Sequence, residues 1–166
     1  MKRIITLLLI LTASVTSAQT AFSGKGDKKV NIGANFQDGG TGIQGSVDFG
    51  LGENFSYGFV AGYLLDVKEF EGEKPDFTDR FDAKFRVNAN LSSVLNISDA
   101  LDVYPGLDLS LKNFGGHVGA RYFFSDGFGL FSEVAFPIAK YDNNVVGFEH
   151  LNNQFAFVIG ASFNLN

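Results

Sequence analysis

The stretch that decides the fold is GARYFFSDGFGLFSEVAF, residues 119–136. Two aromatic-rich runs flank the turn signal Ser-Asp-Gly at 125–127, and apolar residues alternate with small or charged residues in each run. Alternation with a period of two is typical of a β-strand that has two different faces. The stretch therefore predicts a β-hairpin with Arg121 and Glu133 on one face and most of the aromatic residues on the other.

The same alternation recurs along the rest of the chain, most regularly in RFDAKFRVNANLS at residues 80–92. We count eight such runs between residues 28 and 166. In the fifth run, Pro105 lacks an N–H group and predicts a bulge or a late strand start. No amphipathic helical pattern competes with these runs, so the sequence predicts an all-β domain.

The connections between the runs differ in length in a regular way. Those after the second, fourth and sixth runs are short or moderate, at 52–54, 96–99 and 125–127, whereas two others are long, at 66–79 and 139–153. An even strand number with short turns at one end and longer loops at the other is typical of bacterial outer-membrane barrels. We therefore predict an eight-stranded antiparallel up-and-down transmembrane β-barrel over residues 28–166.

The N-terminal residues have the pattern of an export signal. Lys2 and Arg3 precede a mostly apolar run, and small residues follow it at 16–18. The apolar run is shorter than the ~20 residues that a membrane-spanning helix needs. We predict a cleaved signal peptide at 1–18, followed by a short N-terminal tail at 19–27.

Volume decides which face of the barrel is apolar. An eight-stranded barrel holds few side chains, roughly a dozen in the three-layer parallel case. The apolar faces of the eight runs carry many more large residues than that. We therefore expect the apolar face to point outward, into lipid.

Aromatic residues at the strand ends support the outward assignment, because aromatic girdles mark the two lipid–water interfaces. One predicted ring comprises Phe49, Phe55, Phe124, Phe128 and Phe163. The other comprises Phe36, Tyr63, Phe81, Phe114, Phe136 and Phe155. A soluble β-sandwich, whose two sheets could share such a core, is the main structural alternative.

The predicted inward charges lie on neighbouring strands and can pair. A hairpin centred on Gly127 brings Arg121 directly opposite Glu133, and a centre one residue earlier makes them diagonal neighbours. A turn near residues 97–98 likewise brings Lys84 close to Asp108. We expect structural ion pairs that fill the lumen, drawn from Arg121, Glu133, Lys84, Asp108, Arg86 and Asp48.

Composition limits the possible chemistry. Thirteen Lys and Arg residues against 18 Asp and Glu give a net charge of −5, which argues against a nucleic-acid partner. The absence of Cys excludes disulfides and thiolate sites. The two histidines, His117 and His150, have no spacing diagnostic of catalysis or of a metal site. We therefore predict no catalytic residue, no cofactor and no metal.

The hairpin GARYFFSDGFGLFSEVAF, followed by the final FVIGASFNLN, resembles the small outer-membrane β-barrel domain proteins of the outer membrane protein A and X type, especially their flavobacterial relatives. The resemblance spans roughly residues 28–166, with specific motifs only in the last two hairpins. It implies an eight-stranded barrel that the outer-membrane assembly machinery inserts. It implies no active-site residues, because the family shares none.

The leading functional hypothesis is a non-enzymatic integral protein of the outer membrane, surrounded by outer-membrane lipids. Its long extracellular loops, 66–79 and 139–153, would serve a structural or surface-interaction role toward a ligand that the sequence does not identify. Three alternatives stay open at this point: a narrow channel for small solutes, a lipid-modifying enzyme, and a soluble periplasmic lipid-binding barrel or sandwich.

Overall fold

Eight antiparallel strands pair in chain order, and the last strand pairs with the first, which closes a barrel. The computed structural model describes residues 20–141 and 147–165. The strands are β1 (Lys28–Gln37), β2 (Gly40–Gly50), β3 (Phe55–Val67), β4 (Phe81–Ala89), β5 (Leu101–Ser110), β6 (Asn113–Ser125), β7 (Phe128–Lys140) and β8 (Ala156–Asn164). The predicted eight-stranded antiparallel barrel is confirmed. The predicted signal peptide, 1–18, lies outside the described residues.

Two one-turn helices lie in the connections, α1 (Phe77–Arg80) before β4 and α2 (Ser92–Leu95) before β5. Within the ranges 20–141 and 147–165, no helix is long and apolar enough to cross a membrane.

Burial alternates along the strands in the predicted phase. In β4, the side chains of Phe85 and Val87 are exposed on the outer face, whereas Arg86 and Asn88 are buried inside. Phe85 is 42% exposed and Arg86 is 0% exposed. The interior of the barrel, which we call the lumen, is therefore polar, and its outer wall is apolar.

The seam between β4 and β5 is short. Its paired residues run only from Lys84–Ser110 to Asn88–Gly106. The expected bulge or late strand start at Pro105 is wrong, because β5 begins at Leu101 and pairs with β6 through Pro105 without a register shift. The missing N–H of Pro105 has its effect on the other side, where the pairing with β4 ends at Gly106.

The two ends of the barrel differ. At the short-turn end lie residues 51–54, 90–100 and 126–127, together with the N-terminal segment 20–27. At the long-loop end lie residues 68–80 and 147–155, together with the short turns 38–39 and 111–112. The predicted bounds of the long loops, 66–79 and 139–153, need correction, because β3 continues to Val67, β7 continues to Lys140 and β8 begins at Ala156.

The aromatic residues named above lie on the outer face near the two ends. Contacts within the ring at the short-turn end include Phe128 with Phe163, whose ring centroids are 5.8 Å apart. At the long-loop end, Phe77 of α1 stacks on Phe81 at 5.5 Å and lies 5.4 Å from the ring of Tyr63. Helix α1 thus folds against the outer wall and adds an aromatic residue that strand alternation did not predict.

Candidate functional site

The candidate site is the charged lumen, because it holds most of the buried ionisable groups. Strand alternation points these side chains inward, where the closed wall removes them from solvent. Buried charges must be paired and hydrogen-bonded, since an isolated charge in such a place is strongly unfavourable. The network that follows meets this requirement.

Arg86 on β4 is the centre of the network. Its Nε and Nη2 donate to the two carboxylate oxygens of Asp48 on β2, at 2.7 and 2.6 Å. Its Nη1 donates to Glu133 Oε2 on β7 at 2.9 Å, and Nη2 also donates to Ser46 Oγ at 3.0 Å. The guanidinium therefore joins β2, β4 and β7 through two-pronged geometry, which only arginine offers.

Arg121 on β6 forms a second centre that shares a carboxylate with the first. Its Nε and Nη2 donate to Asp102 Oδ2 on β5 at 3.1 and 3.0 Å. Its Nη1 donates to Asp48 Oδ2 at 3.3 Å. Asp48 thus accepts hydrogen bonds from both arginines, which links the two centres across the lumen.

In place of the predicted ion pair between Arg121 and Glu133, each of these side chains pairs with charged residues on other strands. The register places Gly119 opposite Glu133 and Arg121 opposite Phe131, so the two charges are diagonal, as the second predicted register had it. Arg121 pairs with Asp102 and Asp48, and Glu133 pairs with Arg86. In a narrow lumen an arginine reaches carboxylates on other strands as easily as its diagonal neighbour.

The predicted approach of Lys84 to Asp108 is also modified. The register places Lys84 opposite Ser110 and Arg86 opposite Asp108. Lys84 Nζ lies 3.5 Å from Asp82 Oδ2 on its own strand, while Asp108 pairs with His117. Sequence alternation identified these lumen residues, but the ion partners expected for them were wrong.

His117 bridges two strands on the lumen side. Its Nδ1 lies 3.0 Å from Asp108 Oδ2, and its Nε2 lies 2.8 Å from Asn88 Oδ1. The amide of Asn88 is oriented by its own Nδ2, which donates to Asp48 and Ser56. Both ring nitrogens thus lie within hydrogen-bond distance of an oxygen atom, and the imidazole on β6 joins β5 to β4.

Tyr104 packs near both arginines. Its ring centroid is 4.6 Å from the Arg121 guanidinium and 5.9 Å from that of Arg86. Both distances fall within the range of cation–π attraction. Tyr104 is 0% exposed, so the ring also fills the centre of the lumen.

Glycines on adjacent strands provide the space for the large lumen residues. Gly119 lies opposite Tyr104, Gly106 opposite His117 and Gly58 opposite Asp48. A Cβ at any of these glycines would overlap the facing side chain. Sequence reasoning took these glycines as generic small lumen residues, although each bulky inward residue with glycine directly across the strand pair was a usable signal.

The short-turn end of the lumen is closed by the N-terminal segment. Ala21 and Phe22 are buried there, and the Ala21 N–H donates to the Asp99 carbonyl at 2.6 Å. Lys29 Nζ lies 2.7 Å from Asp27 Oδ1 and 5.2 Å from the centroid of the Phe123 ring. Part of the predicted tail, 20–27, is therefore packed against the barrel.

The long-loop end is closed by residues 147–155, which precede β8. Phe148 and Leu151 form a buried cluster with Leu64 and Val67 of β3. Asn152, in a left-handed conformation at φ 57°, donates from its N–H to Gln37 and from Nδ2 to the carbonyls of residues 79 and 80. Nearby, burial lowers the pKa of Lys112, whose Nζ donates to the Asp79 carbonyl at 2.7 Å.

A polar cavity remains between this cover and the ionic network. Its volume is ≈20 Å³, and its lining includes Asn35, Gln44, Asp82, Lys84 and Asp108. That is room for about one water molecule. In the part of the chain that the structure describes, no three His, Asp or Glu side chains are grouped to hold a metal ion.

The chain matches a family model and is similar in fold to a solved structure. A family model described as "Family of unknown function (DUF6646)" matches residues 12–165. A solved chain described as "De novo design of transmembrane beta-barrels" is similar to 86% of this chain and 98% of its own length, with a TM-score of 0.59 and 12% identity. At that identity the likeness concerns the fold alone. A comparison with curated proteins finds no match.

Proposed function

We propose that this chain, which belongs to the family of unknown function DUF6646, is a non-enzymatic integral barrel of the bacterial outer membrane with a closed lumen. The observation that carries the proposal is its reversed polarity. Arg86 and Arg121 are 0% and 1% exposed inside the wall, whereas Phe59 and Leu130 are 52% and 49% exposed outside it. A soluble barrel has the opposite arrangement, because water requires its large apolar residues inside.

Lipid is the surrounding that fits this outer wall. The strands of 9 to 13 residues reach the ~9–11 that a tilted strand needs to cross a bilayer. Closure leaves no strand at an open sheet edge, which the hydrocarbon core demands. The resemblance of residues 119–136 to outer membrane protein A and X barrels supports the outer membrane as the location.

The filled lumen favours a structural role over a channel. The network of Arg86, Arg121 and Tyr104 occupies the middle, and residues 20–27 and 147–154 cover the two ends. The cavity left between them holds about one water molecule. Any contact with other molecules then falls to the exposed loops, above all residues 69–74.

The first experiment separates the membrane barrel from a soluble protein. The full chain is expressed with its N-terminal signal, and the envelope is fractionated. We expect the protein in the outer-membrane fraction, with a shift in electrophoretic mobility between unboiled and boiled samples. Recovery of a folded monomer by osmotic shock without detergent would contradict the proposal.

The second experiment tests closure. Purified protein is added to a planar lipid bilayer, with a porin as the positive control. We expect no steady current from this protein. Stable unitary conductance steps would instead support the channel alternative.

A further inference from the structure

The turn between β4 and β5 exposes an apolar surface at the short-turn end. Val94 and Leu95 of α2 are 60% and 45% exposed, and Ile97 is 69% exposed. No side chain from Val87 to Ser98 carries a charge. The neighbouring short turns differ, because they include Glu53 and Asp126.

This surface is held in place by hydrogen bonds. The Ser92 N–H donates to Asp102 Oδ1 at 3.3 Å, and Ser93 Oγ donates to Asn54 Oδ1. Asn96 ends α2 in a left-handed conformation at φ 48°, with its N–H donating to the Ser92 carbonyl at 3.2 Å. The backbone is therefore ordered, and exposure of the three aliphatic side chains is a property of the folded turn.

The apolar surface continues the outer wall of the barrel. The Asn90 N–H donates to the Asn54 carbonyl at 2.7 Å, so the turn lies beside the β2–β3 connection. There Leu51 and Phe55 are 60% and 63% exposed on the outer face. Apolar residues thus extend from the strand ends onto Val94 and Ile97.

We propose that residues 91–97 form a membrane anchor that inserts Val94, Leu95 and Ile97 into the lipid leaflet at the short-turn end. The inference rests on the proposed membrane insertion of the barrel. It adds a contact with lipid beyond the strand ends, on the short-turn side. The occupant is lipid because this surface is continuous with the lipid-facing wall. Aliphatic side chains on an uncharged segment fit the boundary between headgroups and acyl chains.

The chain offers a clean test, because it contains no Trp. A single Trp can therefore report the surroundings of one position in vesicles. We choose Ile97→Trp as the probe of the anchor. Phe85→Trp, on the outer face of β4, reports whether the barrel is inserted, and Asp126→Trp reports an exposed turn at the same end.

The vesicles consist of phosphatidylcholine brominated either near the headgroup or deep in the acyl chain, and acrylamide serves as the aqueous quencher. We expect Ile97→Trp to be quenched by shallow bromines and to have a several-fold lower acrylamide quenching constant than Asp126→Trp. We expect Phe85→Trp to be quenched by the deep bromines.

The outcomes separate the anchor from the barrel. If brominated lipid quenches Phe85→Trp while Ile97→Trp has the same lipid and acrylamide quenching as Asp126→Trp, the anchor is overturned. The exposed apolar surface would then be a candidate contact for a protein partner. If Phe85→Trp is not quenched by lipid, membrane insertion fails and the anchor fails with it. Should Ile97→Trp not fold, Val94→Trp provides the same measurement.

Discussion

Tyr104 on β5 lies directly across from Gly119 on β6, and the aromatic ring occupies the space that a Cβ at position 119 would take. Such a Cβ would overlap the Cζ, Cε2 and hydroxyl oxygen of Tyr104. The ring centroid also lies 5.9 Å from the guanidinium group of Arg86 and 4.6 Å from that of Arg121. One glycine thus allows the aromatic residue that lies within cation–π range of both arginines.

Replacing that glycine should disturb the centre of the lumen. We expect Gly119→Ala to destabilise the barrel by about 1–3 kcal/mol, because the ring has no space to move without displacing an arginine. Urea unfolding in detergent micelles measures the change. The control is Gly127→Ala, since a Cβ at Gly127 meets nothing within 4 Å. Equal losses in the two variants would contradict the packing argument.

The hydroxyl of Tyr104 gives a second prediction. It is buried without a hydrogen-bond partner among the described residues. Tyr104→Phe keeps the ring and removes an unsatisfied polar group, so we expect unfolding stability to be equal or higher. Tyr104→Leu, which loses the cation–π contacts, should be less stable than either. A marked loss in Tyr104→Phe would reveal a water molecule bound to the hydroxyl.

Among the charged residues of the lumen, Arg86 should be the one whose replacement lowers the unfolding free energy most. In Arg86→Gln, Asp48 loses a two-pronged partner and Glu133 loses its ion pair, so we expect a loss of about 3–5 kcal/mol in unfolding free energy. Lys74→Gln breaks the exposed pair with Glu69 and should cost less than about 1 kcal/mol. Urea unfolding in micelles compares the two variants. Comparable effects would show that the lumen charges are hydrated.

The outer wall can be tested with one charge. Phe85→Arg should cost about 2–4 kcal/mol in lipid vesicles, because position 85 lies midway along β4 on the outer face. Glu71→Arg, on the exposed tip of the first long loop, should have little effect on stability. The comparison uses urea unfolding from vesicles. A neutral Phe85→Arg would speak against lipid contact at this face.

The long loops should separate into a removable tip and a structural part. Residues 70–73 form a tight turn with paired backbone groups, and Phe70 packs edge-to-face on Phe148 at 6.4 Å. The side chains of residues 71–74 are exposed, so deletion of 71–74, which keeps Phe70, should leave the barrel folded. Asn152→Ala should cost about 1–3 kcal/mol, because it removes the Nδ2 donor of the Arg80 carbonyl and one of the two donors of the Asp79 carbonyl, which keeps Lys112. Thermal unfolding in micelles distinguishes the two. A tip deletion that fails to fold would contradict this division.

The sequence predicted the features that depend on neighbouring residues within one strand. Alternation with period two placed Arg86 and Asp48 inside and Phe85 outside, because neighbouring side chains in a strand point to opposite faces. The ion partners were not local. Arg86 on β4 pairs with Glu133 on β7 across the lumen. These strands are not neighbours, so the register of adjacent strands does not predict this contact.

Two further features depended on contacts that alternation does not describe. The inward packing of Ala21 and Phe22 depends on how the chain enters the barrel, and the stacking of Phe77 on Phe81 depends on how α1 folds back on the wall. The expected bulge or late strand start at Pro105 was wrong. Its effect fell on the seam with β4, because its pairing with β6 continues through it.

That seam has a mechanical consequence. The wall between β4 and β5 is joined by the fewest backbone pairs, ending at Asn88–Gly106, whereas the neighbouring β5–β6 seam continues to Leu101–Tyr122. The bridge from His117 to Asn88 spans the same gap from inside. If the barrel opens laterally, we therefore expect it to part along the β4–β5 seam first, and the hydrogen bond from His117 to Asn88 is one of the contacts that would resist the opening.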